Sequence, residues 1–288
     1  MAKCYACPRE CGVDRDRERG YCGAGNEILI AKTMVHRFEE PPISGTRGSG
    51  AIFFGGCNLG CVYCQNAAIS VRATGEKTTA AELEKAIFDL EEKGVHNVDL
   101  ITAAHFVPLV APVLEKVKPR LSVPVVYNTS GYEKVDTLRL LDGLVDIYLP
   151  DFKYFSSDLA RKFSFAPDYP EVAAAALEEM TRQQPAFVTD DSGIAKRGVI
   201  VRHLVLPGHR DDSIAVIRLL AARFPSVKLS LMRQYTPEFN RSEYRELSRR
   251  VTTFEYNSVL DEAVRLGLDG FIQDPDSATT AYTPDFTR

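Results

Sequence analysis

Residues 50–66 read GAIFFGGCNLGCVYCQN, a short apolar run that ends in two glycines and is followed by three cysteines. Three residues separate Cys57 from Cys61, and two separate Cys61 from Cys64. Thiolates at such spacings converge from one loop and can bind a metal. Three ligands leave one position of a four-coordinate site open. The sequence therefore raises the question of what occupies the fourth position.

The apolar run before the cysteines is the first of six strand candidates. Most of them are continuous apolar runs rather than alternating patterns, as expected of parallel strands that are covered on both faces. The other five candidates span residues 97–105, 123–130, 145–152, 199–207 and 227–235.

Helical patterns lie between these runs, at residues 79–94, 211–224 and 255–267. Pro167 and Pro170 break the segment from residue 156 to 184, which predicts two short helices there. Strand–helix units with right-handed crossovers form an α/β fold with a parallel sheet. Six units are too few for a complete eight-stranded barrel, so we predict a partial, open (β/α)6 barrel. A doubly wound sheet is the alternative.

The composition narrows the class of protein. The chain has 288 residues, of which 45% are hydrophobic and 26% charged, and its formal net charge is −4. This balance favours neither nucleic acid nor a membrane surface as a partner, and no apolar run is long enough to span a bilayer. Residues 1–12 lack the apolar segment of a secretory signal. We therefore predict a cytoplasmic protein, in which clustered cysteines bind metal or carry out redox chemistry.

The other four cysteines lie close to the N-terminus, in CYACPREC (4–11) and GYCGAG (20–25). Four ligands can close a site, which suits structural zinc or a coordinatively saturated [4Fe–4S] cluster. The Cys-Pro step resembles bacterial ferredoxin ligation and favours iron–sulfur slightly. We predict a metal-binding extension over residues 1–45 and a barrel domain over 46–288. The ligands of this second centre are Cys4, Cys7, Cys11 and Cys22.

Polar residues fall at or just after the predicted strand ends, where the functional groups of such folds gather. For the three cysteines at the first strand end, zinc with His105 or water as fourth ligand is one possibility. An iron–sulfur cluster is the other, and the spacing alone leaves both open. The remaining strand-end residues are Asn128, Ser130, Asp151, Lys153 and Gln234.

The motif C-x3-C-x2-C, with aromatic Tyr63 before its last cysteine and at the end of the first of six strands, resembles the radical S-adenosylmethionine (radical SAM) enzymes. The resemblance extends over nearly the whole chain and is greatest to the branch related to pyruvate formate-lyase activating enzyme. The segments that carry it are EEPPISGTRGSG (39–50), YNTSGY (127–132), DIYLPDFKY (146–154), RHLVLPGH (202–209) and AYTPDF (281–286).

The resemblance implies a [4Fe–4S] cluster held by three thiolates, with an open iron that chelates the amino and carboxylate groups of S-adenosylmethionine. An electron from the reduced cluster then cleaves the sulfonium to methionine and a 5′-deoxyadenosyl radical, which abstracts hydrogen. It further implies a flavodoxin- or ferredoxin-type electron donor and a glycyl radical enzyme, or another protein or peptide, as substrate. Tyr63 would shield the cluster or pack on the adenine ring.

The resemblance also assigns roles near the second strand end. The family carries a Gly-Gly-Glu-like stretch there that meets the amino group of the cofactor, whereas this chain has TAAHFVP (102–108). Thr102 and Ala103 still offer backbone carbonyls. His105 replaces the acidic residue, and it is either a substrate-facing acid–base group or a structural histidine that caps the next helix.

Three further strands contribute predicted cofactor contacts. Asn128 stands where the activating enzymes often have an aspartate, and with Ser130 it offers hydrogen bonds to ribose or to a bound cation. Asp151 and Lys153 match the family's Asp-x-Lys pair, in which the lysine holds the cofactor carboxylate. The alternative is a solvated ion pair.

Arg202 interrupts an apolar run, and a buried arginine needs an anionic partner. That partner is either the cofactor carboxylate or an internal Asp or Glu. His203 faces the opposite side and packs among helices, and Gln234 completes the set of predicted cofactor-binding residues.

Three functions compete. The first is a radical SAM enzyme that installs a glycyl radical in a partner, with Cys57, Cys61, Cys64 and His105 as catalytic residues. The second is the same chemistry on a small metabolite or a peptide side chain. The third is a non-enzymatic iron–sulfur or zinc protein that uses the barrel as a scaffold.

Overall fold

The computed structural model describes residues 3–286 and consists of one mixed sheet with helices packed against it. The strands in this range are β1 (Ile28–His36), β2 (Ser49–Phe54), β3 (Glu76–Thr78), β4 (Val98–Ile101), β5 (Val125–Thr129), β6 (Ile147–Pro150), β7 (Val188–Thr189), β8 (Ala195–Leu204), β9 (Lys228–Met232) and β10 (Gly270–Ile272). The helices are α1 (Pro41–Ser44), α2 (Ala67–Ser70), α3 (Ala80–Glu92), α4 (Val107–Val117), α5 (Val135–Leu138), α6 (Ser157–Ser164), α7 (Tyr169–Gln183), α8 (Arg210–Arg223) and α9 (Thr253–Arg265).

The sheet runs in the order β10-β9-β8-β6-β5-β4-β2-β1-β3, with β7 paired to β8. Every neighbouring pair from β2 to β10 along this path is parallel, whereas β1 pairs antiparallel with both β2 and β3. The two ends of the order, β10 and β3, are the edges of the sheet. The chain is therefore an α/β protein with an open, partial barrel, as the sequence predicts.

All six predicted strands are present, as β2, β4, β5, β6, β8 and β9. The three predicted helices are present as α3, α8 and α9. Two helices also occupy the segment broken by Pro167 and Pro170, although α7 has 15 residues and is not short.

Helix α4 was not among the predicted helices, and the main strand that the sequence pattern missed is β1. It lies within the predicted N-terminal extension, and residues 28–36 pair with β2 in the same sheet. Most of its residues are only partly buried, so the strand lacks the continuous apolar run that marks the other strands. The edge strands β3 and β10 are three residues each and present too little pattern to detect.

Local sequence signals explain how the helices begin and pack. Thr79 and Glu82 form a reciprocal capping box at the start of α3, and Gly94 beyond its end adopts φ +74°, which favours glycine. Leu83, Ile87 and Leu90 form the buried face of α3 and contribute roughly 1.5–3 kcal/mol each. In the described part of the chain, no helix combines the length and the apolar character needed to cross a bilayer.

Candidate active site

A cavity opens at the carboxyl ends of the parallel strands, where the fold brings the predicted polar residues together. The three cysteines after β2 line one side of it, and side chains after β4, β5, β6, β8 and β9 line the remainder. The predicted residues that line this cavity are Cys57, Cys61, Cys64, Tyr63, Thr102, Asn128, Ser130, Asp151, Lys153, Arg202 and Gln234.

The glycine directly before Cys57 is required by the local backbone conformation and by the neighbouring chain. Gly56 adopts φ +87°, and a Cβ at this position would lie 2.4 Å from the carbonyl oxygen of Cys22. A side chain is therefore excluded by both the backbone conformation and the neighbouring chain. The turn positions Cys57, whose sulfur accepts a hydrogen bond from the backbone N–H of Leu59 (3.4 Å).

The thiols of the cavity are largely shielded from water. Burial raises the pKa of Cys57 to about 12 and also raises the pKa of Cys61. A buried thiol resists ionisation unless a positive charge compensates the thiolate, and a bound metal supplies that charge. The residues therefore suit metal-bound sulfur better than free thiolate nucleophiles.

Asp151 and Lys153 form an ion pair inside the cavity rather than a solvated pair. Their side chains are only 15% and 17% exposed, and the Lys153 ammonium donates to the Asp151 carboxylate. Burial opposes ionisation of Asp151, but the charges of Arg202 and Lys153 outweigh it and hold its pKa below the usual value. Burial also opposes the charged form of Lys153 and would lower its pKa. The negative charge of Asp151 outweighs this effect, so the pKa of Lys153 is raised. Both groups are thus charged at neutral pH.

Arg202 has internal partners, which agrees with the second of its two predicted roles. Its guanidinium donates to Asp151 (2.9 Å), Glu39 (3.2 Å) and the side-chain oxygen of Asn128 (2.6 Å). The Asn128 amide in turn donates to Glu39 and Asp99, each at 3.3 Å. Arg202 therefore organises the polar floor of the cavity.

The acidic partners beneath this floor escaped the sequence analysis. Glu39 and Glu40 belong to the EEPP segment, and Asp99 lies inside β4 between apolar residues. Burial raises the pKa of Glu40 to about 7 and raises that of Asp99 well above its usual value. An acidic residue inside a predicted buried strand was the available signal, because such a group requires a partner.

Two predicted residues do not line the cavity. His105 is 2% exposed, and its Nε2 donates to the carbonyl of Gly55 (2.9 Å), so its ring packs in the core. It does not cap the next helix as the structural alternative proposed, because the N-cap of α4 is Phe106 and has no side-chain cap. Burial lowers the pKa of His105 to about 4, which keeps the ring neutral. Ala103 lies in the core, and its carbonyl already accepts the N–H of Phe106 (2.7 Å). His203 is buried and bonded to the Phe152 carbonyl, in agreement with its predicted packing role.

The family model described as the Radical SAM superfamily matches residues 51–221, which begin in β2 and end in α8. The chain belongs to the radical SAM superfamily. It is also 29% identical to an uncharacterized protein of Methanocaldococcus jannaschii over 279 residues, which cover 92% of this chain and 75% of the relative.

Two solved structures illustrate the likeness of the fold. A radical SAM methyltransferase from Sphaerobacter thermophilus superposes with a TM-score of 0.53 at 16% identity, covering 80% of this chain and 67% of its own. Methylornithine synthase superposes with a TM-score of 0.52 at 16% identity, covering 77% and 66% of the two chains. At these identities the likeness supports the fold alone.

Membership of the radical SAM superfamily implies a [4Fe–4S] cluster and S-adenosylmethionine as cofactors. Within residues 3–286, no three His, Cys, Asp or Glu side chains are arranged to bind a single metal ion. Three thiols that face one cavity suit a cluster, since each thiolate binds a different iron. Two buried polar atoms on the cavity wall, Ser130 Oγ and Asn66 Oδ1, have no hydrogen-bond partner among the described residues. Their unused capacity fits a polar ligand.

A chain of hydroxyl groups reaches Cys61, one of the three cysteines that line the cavity. Ser164, the last residue of α6, donates to Cys61 Sγ (2.9 Å). The Tyr154 hydroxyl lies 2.7 Å from Ser164 Oγ, and the Tyr63 hydroxyl lies 2.5 Å from that of Tyr154. Tyr63 was predicted at the site, whereas Ser164 and Tyr154 were missed because their contacts depend on the packing of α6.

We expect replacement of Ser164 by alanine to lower the reduction potential of the cluster by an amount on the order of tens of millivolts. A hydrogen bond to a cluster sulfur stabilises the more negative, reduced state, so its loss favours the oxidised state. Redox titration monitored by electron paramagnetic resonance (EPR) measures the shift. Ser213→Ala is the matched control, since Ser213 is also buried but lies on α8 and forms no hydrogen bond to Cys61. Identical potentials in both variants would remove this role from Ser164.

Proposed function

We propose that the chain cleaves S-adenosylmethionine reductively and uses the resulting 5′-deoxyadenosyl radical to abstract hydrogen from a substrate. A [4Fe–4S] cluster held by Cys57, Cys61 and Cys64 supplies the electron that breaks the sulfonium bond. The observation that carries the proposal is one cavity at the carboxyl ends of the strands that combines three thiols with the ammonium group of Lys153. Cys61 is buried, Cys57 and Cys64 are partly buried, and the Lys153 side chain is 17% exposed.

The chain's own residues would bind and orient the cofactor. Lys153 has three ammonium hydrogens, of which Asp151 engages one, so the others are available to a carboxylate. Ser130 offers its unpartnered hydroxyl to the ribose. Thr102 borders the same cavity after β4, where its backbone is available to the amino group. Tyr63 supplies an aromatic wall and is held in place by Tyr235, with ring centroids 6.0 Å apart.

For the hydrogen donor we propose a glycine of a partner enzyme, with a flavodoxin- or ferredoxin-type protein as electron source. The support is the match of the segments around residues 39–50, 146–154 and 202–209 to the activating-enzyme branch. A glycyl radical detected by EPR on the added partner tests this assignment. Deuterium transfer from a labelled metabolite or peptide into 5′-deoxyadenosine, without a glycyl radical, would replace it with the second candidate function.

The decisive experiment for the core activity is anaerobic reconstitution with iron and sulfide, followed by dithionite and S-adenosylmethionine. Mass spectrometry should detect 5′-deoxyadenosine and methionine in equal amounts. Protein that carries a complete cluster at Cys57, Cys61 and Cys64 yet forms neither product would contradict the proposal. Stoichiometric zinc without iron at these cysteines would favour a non-enzymatic scaffold.

We expect Lys153→Met to weaken S-adenosylmethionine binding about 10- to 100-fold while leaving the iron content unchanged. The variant loses a charge-assisted hydrogen bond of about 1.5–3 kcal/mol, and about 1.4 kcal/mol corresponds to tenfold in affinity. Equilibrium dialysis with labelled cofactor measures the dissociation constant. Lys162→Met is the matched control, because Lys162 pairs with Glu246 away from the cavity. Equal affinities in the two variants would exclude Lys153 from cofactor binding.

A further inference from the structure

We propose that Cys4, Cys7, Cys11 and Cys22 hold a second [4Fe–4S] cluster, and that this cluster passes single electrons to the centre at Cys57, Cys61 and Cys64. The relay step rests on the proposed function, because it needs the first cluster as acceptor. The presence of a second cluster does not depend on the proposed function, and its composition is tested separately.

The four N-terminal cysteines lie on one folded segment, in which 17 residues separate the first from the last. A tight turn brings the segment back on itself: Cys4 N–H donates to the carbonyl of Val13 (2.9 Å), and Gly12 N–H donates to that of Cys4 (3.0 Å). A Cβ at Gly20 would lie 3.4 Å from the sulfurs of both Cys11 and Cys22. The sulfurs of Cys11 and Cys22 therefore both lie within van der Waals contact of one position.

Thiolate charges at Cys4 and Cys11 would raise the pKa of Cys22 beyond the effect of burial, and a charge at Cys22 would do the same for Cys7. The four cysteines differ in exposure. Cys11 is exposed and Cys4 is partly exposed, whereas Cys7 and Cys22 are 6% and 7% exposed. One edge of the centre therefore faces solvent, where a protein electron donor can approach, and the other edge faces the barrel.

The buried edge contacts the first cysteine group directly. The backbone N–H of Cys57 donates to the carbonyl oxygen of Cys22 (3.3 Å). A single hydrogen bond therefore joins the main chain of a ligand in one group to that of a ligand in the other. The absence of a side chain at Gly56 allows this approach, since a Cβ there would lie 2.4 Å from the same carbonyl oxygen.

Arg9 fixes the N-terminal segment on the loop that carries the radical SAM cysteines. Its guanidinium donates to the carbonyls of Asn58 (2.7 Å) and Phe165 (2.6 Å). It also stacks over the rings of Tyr21 (4.0 Å) and Tyr132 (5.2 Å). Such a clamp holds the two cysteine groups at a constant separation, which a fast electron relay requires.

Arg15 and His105 form a second connection. Arg15 lies 3.7 Å from the sulfur of Cys22 and donates to the backbone carbonyl of His105 (2.8 Å). The His105 ring donates to the carbonyl of Gly55, two residues before Cys57. This path gives a role to the buried histidine, which positions the two groups relative to each other rather than acting on substrate.

The proposed step transfers one electron at a time and leaves all bonds and protons in place. A reduced low-potential carrier of the flavodoxin class is oxidised by one electron as the second cluster is reduced. The second cluster then returns to its oxidised state as the first cluster gains the electron.

The composition is tested on the full-length protein, reconstituted anaerobically. We expect about eight iron and eight sulfide per chain in the wild type, and about four of each in the double variant Cys4→Ser, Cys11→Ser. The remaining cluster should still change its EPR spectrum when S-adenosylmethionine is added, which shows that the variant is folded. If the double variant does not fold, the single variant Cys11→Ser, at an exposed position, is used for the same iron and sulfide analysis. Zinc at the N-terminal cysteines, only four iron in the wild type, or loss of both clusters from a folded variant would each overturn the proposal.

The relay is tested by the reduction rate of the first cluster, measured by freeze-quench EPR without substrate. With reduced flavodoxin as donor, we expect the double variant to be slower than wild type by about tenfold or more. With dithionite, a small reductant that can enter the open cavity, the two proteins should react alike. Equal rates with flavodoxin would overturn the relay. Failure of the wild type to cleave S-adenosylmethionine, with all eight iron present, would instead count against the proposed function.

Discussion

Replacing Cys61 by alanine is expected to remove the cluster at the strand ends and to abolish the formation of 5′-deoxyadenosine. Cys61 is 8% exposed, lines the cavity and accepts the Ser164 hydrogen bond. Without it only two thiolates remain for a cluster that three must hold, and the electron source for the cleavage is lost. Iron and sulfide analysis, together with mass spectrometry of the products, measures both effects.

The matched control for this variant is Ser70→Ala. Ser70 lines the same cavity, and its hydroxyl lies 3.6 Å from Cys64 Sγ, but it is not a predicted ligand. We expect this control to retain its iron at Cys57, Cys61 and Cys64. A Cys61→Ala protein that still produced 5′-deoxyadenosine at the control rate would show that the catalytic centre lies elsewhere.

Much of the site follows from one rule of parallel sheets, namely that polar residues at the carboxyl ends of neighbouring strands meet at the same edge. The rule brought together residues far apart in sequence, such as Asn128, Lys153 and Gln234, and all three line the cavity. The six strands were predictable because parallel strands covered on both faces are continuous apolar runs.

The partners of the buried charges were not predictable from sequence. Arg202 pairs with Glu39, which is 163 positions away, and an apolar run interrupted by an arginine does not specify which anion will meet it. His105 illustrates the same limit, since a histidine after a strand end can turn either toward the cavity or toward the core. Here it turns inward to Gly55. The Ser164 contact also required the packing of α6 against the cysteine loop.

Arg202→Met is expected to destabilise the protein by about 3–5 kcal/mol at neutral pH, the usual effect of removing one partner of a buried ion pair. The Arg202 side chain is 16% exposed, and those of Asp151 and Glu39 are 15% and 10% exposed. Methionine fills much of the volume of the arginine but carries no charge. Asp151 then keeps only Lys153 as an ion-pair partner among the described residues. Glu39 keeps only His36, whose Nε2 lies 3.9 Å from the carboxylate, within the same part of the chain. Urea denaturation followed by circular dichroism measures the change in unfolding free energy.

The pH dependence of the unfolding free energy shows whether Arg202→Met destabilises the protein through the lost positive charge or through poorer packing. In the wild type, burial raises the pKa of Glu39 and the charge of Arg202 opposes that rise, while the pKa of Asp151 is lowered. Asp151 therefore stabilises the wild type above its unfolded pKa, and this contribution is lost as pH falls through its folded pKa. Without Arg202 both folded pKa values rise, so the ionised carboxylates destabilise the variant at neutral pH and protonation relieves them as pH falls. The difference in unfolding free energy between wild type and variant should consequently narrow as the pH falls from neutral toward the ordinary pKa range of carboxyl groups.

Arg218→Met is the matched control for this experiment. Arg218 pairs with Glu262 on the surface, where its side chain is 63% exposed, so its loss should change the unfolding free energy by no more than about 0.5 kcal/mol. A difference for Arg202→Met that stayed constant over the same pH range would attribute the destabilisation to packing alone. A difference as small as that of the control would mean that the carboxylates beneath the cavity do not depend on Arg202. A difference that narrows as the pH falls would show that the Arg202 guanidinium favours the ionised forms of the buried carboxyl groups of Asp151 and Glu39.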